Sequence, residues 1–142
     1  MGAGRSAAGR RRGRRTPLNT QDGVARLCRA DELAEGEARG FDPWNDGIDT
    51  VLVVRHEGRL HGWRDACPHY GDTPLAWRKD AYLDAARTRI VCAAHGAQFD
   101  IATGVCTLGP CLGQGLRRVT LQIDDYINIR REGEEETPYD IP

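Results

Sequence analysis

Long hydrophobic runs are missing from this chain: no stretch approaches the ~18 apolar residues that a membrane-spanning helix needs, so a soluble protein is expected. Cysteines number five, an odd count that disfavours a complete disulfide framework and suits a reducing cytoplasm. Acidic residues are absent from positions 1–17, which hold six arginines. Setting those six aside from the 20 basic residues leaves 14 against 21 acidic ones, so residues 18–142 carry a net charge of −7 beneath an overall −1. An acidic surface argues against nucleic acid as the main partner of that part and favours steered encounter with a basic protein patch. The arginine-rich "RRRGRRT" invites a twin-arginine export reading, but the following "PLNTQDGVARLCRADEL" has no apolar region for a translocon to engage. Residues 1–22 are therefore expected to form a disordered basic arm.

A length of 142 residues suits one domain with tails. Seventeen glycines and seven prolines point to many turns and short strands, hence an all-β fold. "VARLCRADELAEGEARGFDP" reads as a short strand, a turn and a second short strand. In "VLVVRHEGRLHGW" the pair Glu57-Gly58 is a two-residue hairpin signal between strands at 50–56 and 59–63. Further on, "DAYLDAARTR" is expected to form one or two helical turns in a surface excursion, since it lacks an apolar stripe. "AQFDIATGVC" reads as strand, turn, strand, and "GLRRVTLQIDDYINIR" as two strands joined at Asp124-Asp125. The expected domain spans 23–131, followed by an acidic, mobile tail over 132–142.

Two short segments carry the chemistry. "CPHYGDTPL" places Cys67 two residues before His69, and "CAAHGAQFD" places Cys92 three before His95. Thiolates and neutral imidazoles bind soft or borderline metals, and two of each suit either tetrahedral zinc or a mixed-ligand iron–sulfur cluster. Each pair follows a predicted strand, and each has a glycine close after its histidine, Gly71 and Gly96. Glycine admits positive φ and lets backbone N–H groups approach a buried inorganic sulfide, an acceptor that zinc does not present. Pro68, Pro74 and Pro110 would stiffen the loops around such a site.

The pattern C-x-H-x-G followed by C-x-x-H-G resembles that of Rieske iron–sulfur proteins. "LGPCLGQGLRRVTLQIDDYINI" is similar to the proline-containing cover loop and last hairpin of Rieske-type ferredoxins, and the resemblance runs over residues 24–131. It implies a domain of small antiparallel sheets with a cluster-binding subdomain formed by two loops. It further implies one 2Fe-2S cluster with Cys67 and Cys92 on one iron, and His69 and His95 on the other. Gly71, Gly96 and Pro110 would shape its surroundings. The function implied is a ferredoxin that takes electrons from a flavin-dependent reductase and passes them to an oxygenase, with no membrane or nucleic-acid partner. A small Rieske subunit of a larger complex and a zinc-stabilised structural module are the alternatives. No catalytic residues are expected: after the four ligands only His56 and His61 remain, too few for a second metal with two histidines and a carboxylate.

Other residues have plainer readings. Cys106 and Cys111 are expected to be core or cover-loop thiols, Cys28 to be buried packing, and His56 and His61 to face solvent. Trp44, Trp63 and Trp77 are assigned to the core. The 22 residues between His69 and Cys92 exceed the shortest family spacing, with the excess within Lys79–Arg89.

High-potential Rieske proteins carry an inter-loop disulfide at the positions of Asp72 and Ala94, and serine and tyrosine hydroxyls at those of Ala97 and Phe99. None of these four residues can make the corresponding bond. With fewer donors to its sulfurs the more negative, reduced cluster is less stabilised. The midpoint potential is therefore expected near the low end of the Rieske range, at about −150 mV; a redox titration placing it well above zero would refute the argument.

Overall fold

The computed structural model describes residues 23–68 and 73–131. The expected arm over 1–22, the tail over 132–142, and the stretch that includes His69 and Gly71 lie outside the described residues. In chain order the elements are β1 (Val24–Arg29), a 3-10 turn (Ala30–Glu32), β2 (Ala38–Phe41), β3 (Val51–His56), β4 (Arg59–Arg64), β5 (Arg89–Val91), β6 (Gln98–Asp100), β7 (Cys106–Leu108), β8 (Leu121–Ile123) and β9 (Tyr126–Arg130). They pair into three antiparallel sheets of three strands, ordered β1-β9-β8, β2-β3-β4 and β5-β6-β7. Among the described residues no α-helix occurs, so the architecture is all-β.

The hairpin at Glu57-Gly58 forms because both residues take positive φ, 52° and 78°, the twist that a two-residue connection needs. Its first strand, β3, decides the layering. Val51, Leu52, Val53 and Val54 are all buried. Alternate residues of a strand face opposite sides. Val51 and Val53 accordingly join Ala25, Leu33, Val119, Ile127 and Ile129 in one core. Leu52 and Val54 join Trp63, Leu75, Tyr82, Ile90 and Phe99 in the other. The β2-β3-β4 sheet is thus the middle layer, covered on both faces, which explains a continuous apolar run in place of alternation.

The last third of the chain locks onto this layer along its β4 edge. Arg64 N–H donates to Arg117 O (2.8 Å) and Val119 N–H to Gly62 O (3.1 Å). A Cβ on Gly62 would stand 2.7 Å from the Val119 side chain, so only glycine permits the approach.

Two expectations are corrected. The stretch 80–89 forms turns that lead into β5, not helix: the Asp84 carboxylate accepts the N–H groups of Thr88 (2.8 Å) and Arg89 (3.1 Å), and Asp80 and Arg87 take positive φ. Nor is it merely a surface excursion, because Tyr82 is buried, Val91 N–H donates to Tyr82 O (2.8 Å), and Leu83 bridges to Ile90. Trp77 is the second correction. Trp63 is fully buried and Trp44 packs partly buried against the core, but Trp77 is 70% exposed, with the Arg78 guanidinium over its ring at 4.7 Å.

Truncating a residue of the doubly covered strand removes contacts from the middle of the molecule. Leu52→Ala is expected to lower the unfolding free energy by about 2–5 kcal/mol in urea titrations followed by tryptophan fluorescence.

Candidate metal centre

Strand β4 delivers the chain to Asp65 and then to Cys67, whose N–H donates to Thr73 O (2.8 Å) and closes the stem of a first loop. Strand β5 ends at Val91 and delivers Cys92. There Cys92 N–H donates to Ala97 O (2.8 Å) and Gly96 N–H to Cys92 O (2.8 Å), so the second loop is a tight turn that leads directly into β6. Gly96 takes φ +74°, a left-handed conformation that favours glycine. Ala93 N–H donates to Leu75 O (2.9 Å) and ties the second loop to the end of the first. Stems from two different sheets, β4 of the middle one and β5 of the third, therefore present the two cysteines to each other.

The result is a group of three donors. The sulfurs of Cys67 and Cys92 and a ring nitrogen of His95 all lie within 4.8 Å of one another. Both sulfurs belong to fully buried residues, whereas His95 is partly exposed. The His95 nitrogen turned to the Cys92 sulfur is Nδ1, at 3.7 Å. Burial pushes the Cys92 thiol up, and the adjacent Cys67 sulfur adds to this. The backbone N–H groups of His95 and Ala94, aimed at the Cys92 sulfur, act in the opposite direction. Two thiolates side by side in an apolar setting repel, and a cation between them removes the conflict.

The sequence profile of the Rieske [2Fe-2S] domain matches residues 23–126. The chain belongs to this family. Its Rieske domain resembles the ferredoxin component of an alkene monooxygenase system from Xanthobacter autotrophicus, with 34% identity over 80 residues, 55% of this chain and 57% of that protein. It also resembles apoptosis-inducing factor 3 of Homo sapiens, 36% identical over 80 residues, 56% of this chain and 12% of that one. The chain thus matches little more than half the length of the first relative and a small part of the second. Among solved structures it is similar to the ferredoxin of carbazole 1,9a-dioxygenase from Nocardioides aromaticivorans IC177, at a TM-score of 0.57 and 26% identity, covering 83% of this chain and all of that one.

The cofactor of the Rieske domain is a 2Fe-2S cluster. The residues present fit it: paired buried thiols, an imidazole with Nδ1 turned inward, and amide donors directed at a sulfur, as thiolate ligands of such a cluster require. Ala97 and Phe99, apolar and fully buried beside the second loop, supply no hydroxyl. Pro110 is exposed in the cover loop. His56 and His61 are half-buried, not solvent-facing as expected from the hairpin, with ring centroids 6.4 Å apart. They stand outside the donor group. Cys28 is half-buried on β1, and burial raises its thiol pKa to about 11.

Behind the first loop lies a support with no sequence signal. Asp65 is buried; its carboxylate accepts Leu75 N–H (2.8 Å) and the Tyr82 hydroxyl (2.7 Å). Burial raises its pKa, against the pull of these two donors. Lys79 fastens the same region to the middle sheet, its ammonium donating to Gly40 O (2.8 Å), Asp80 (2.8 Å) and Asp49 (3.1 Å). Asp65 thus links β4, the end of the first loop and the enlarged segment before β5. Tyr82→Phe leaves a buried carboxylate oxygen without its donor and is expected to cost about 1–3 kcal/mol of stability, measured by urea unfolding of the cluster-loaded protein.

Proposed function

We propose that this chain is a ferredoxin that carries single electrons from a flavin-dependent reductase to an oxygenase. Cys67 and Cys92 would hold one iron of the 2Fe-2S cluster, and His69 and His95 the other. The observation that carries the reading is the convergence of two buried thiols and a partly exposed imidazole at the tips of two loops tied to each other. When bound, the cluster supplies a one-electron redox couple. The chain's own part is to keep the sulfurs dry and leave the His95 ring at the surface, which shortens the path to a docked protein. A net charge of −7 over residues 18–142 would steer it towards basic patches on its partners. The ferredoxin roles named for the alkene monooxygenase and carbazole dioxygenase relatives support an oxygenase as the acceptor. Five cysteines with no disulfide among them favour a reducing cytoplasm as its place of work. The small share of apoptosis-inducing factor 3 that matches favours, as a second reading, a Rieske unit working inside a larger assembly.

Protein purified without oxygen is expected to be red-brown and, once reduced, to show the EPR signal of a Rieske cluster. Cys67→Ala and His69→Ala should each abolish that spectrum while zinc content stays negligible. A colourless protein with one tightly held zinc would overturn the reading. Stable co-purification with a large chain would transfer it to a subunit role.

A further inference from the structure

The cover loop after β7 brings a third thiol to the metal centre. Gly109, at φ +103°, lies so close to the second loop that a Cβ there would stand 2.8 Å from Ala97 Cα. Past Pro110 the chain turns, with Gln114 N–H donating to Cys111 O (2.8 Å) and Cys106 N–H to Gln114 O (2.9 Å). The loop is therefore pinned to the second cluster loop at one point and to its own strand at another. Between those points it carries Cys111, fully buried, to the first loop, with its Sγ 3.6 Å from the Cys67 Sγ. Cys111 does not belong to the group formed by Cys67, Cys92 and His95.

Resting on the ligand reading above, we infer that Cys111 is a positioning residue whose S–H donates a hydrogen bond to the Cys67 sulfur and so raises the reduction potential of the centre. The direction of the bond follows from the chemistry. In the free protein either sulfur can be the donor, but a thiolate bound to iron has no proton, so the hydrogen must belong to Cys111. A hydrogen bond to an ionised acceptor is stronger than a neutral one, and the surroundings, apolar side chains of the same buried cluster, weaken it little by screening. It draws electron density from the ligand sulfur and favours the more negative, reduced state. With Ala97 and Phe99 unable to donate from the second loop, this thiol supplies a donor to the first loop from a third segment.

The test compares Cys111→Ala, Cys111→Val and Cys111→Ser in the full chain, loaded with cluster. Midpoint potentials are read by redox titration and Fe–S stretching frequencies by resonance Raman in H2O and D2O. The expected result is a shift to more negative potential in the Ala and Val variants, which lack a donor but differ in volume. The Ser variant, with a stronger donor, should match or exceed the wild type. The deuterium sensitivity of the Fe–S stretch should diminish in Ala and Val, leaving only the share from the amides at Cys92, and persist in full in Ser. Potentials that follow side-chain size, or that stay unchanged in all three, would overturn the inference. So would loss of the cluster in all three, since that marks Cys111 as a ligand. Failure of the ligand reading shows separately, as a cluster that survives Cys67→Ala. If the Ala variant does not fold, the Val and Ser pair decides alone.

Discussion

Two sulfur atoms held out of water within reach of each other are an unfavourable arrangement for bare thiolates, and the surrounding hydrogen bonds exist in a form that makes separation costly. Cys67 and Cys92 are each fastened through their own backbone N–H to the far side of their loop, at Thr73 and Ala97. Ala93 and Leu75 then join the loops. Opening the site would break backbone hydrogen bonds in a buried setting, where an unmet donor or acceptor costs more than a made bond returns. The pair of thiols is therefore pre-placed for a cation, and the amides of Ala94 and His95 already face the Cys92 sulfur.

Rigidity of this kind needs a floor, and the β2-β3-β4 sheet provides it. Being covered on both faces, it transmits the packing of β1, β8 and β9 to the loops, because β4 runs without interruption into Asp65 and Cys67. Interiors packed at crystal-like density do not give way locally. The enlarged segment before β5 strengthens the same base: Tyr82 reaches inward to Asp65, and Lys79 reaches back to Gly40. What reads as an insertion serves as a buttress, while Trp77 at its start stays at the surface.

The electrostatics of the centre set a modest polar environment. Hydroxyl donors are missing at Ala97 and Phe99, and His95 keeps contact with solvent at the edge. A thiol from the cover loop is a weaker donor than a hydroxyl. On the function proposed above, these surroundings suit low-potential electron carriage, and the loop that carries Cys111 touches both of the others.

Much of the local structure was readable in the chain. Glu57-Gly58 and Asp124-Asp125 mark their hairpins, since turn chemistry depends on a few adjacent residues. Cys67, His69, Cys92 and His95 stand out by residue type, spacing and flanking glycines, and by the family resemblance these carry; the structure gathers the three of them that it describes, while His69 and Gly71 lie outside the described residues. The helical turns expected over 80–89 gave way to a local side-chain competitor, Asp84, which satisfies backbone donors that a helix would use otherwise. By itself the sequence determined the strand-rich class, the turns and the metal-binding residue types, because these follow from neighbours in the chain. Only the tertiary structure decided that β3 is covered twice, that Asp65 meets Tyr82, that Trp77 stays exposed and that Cys111 lies against Cys67 across 44 residues. Such contacts join segments far apart in sequence, and no local propensity or periodicity records which surfaces will meet once the layers pack.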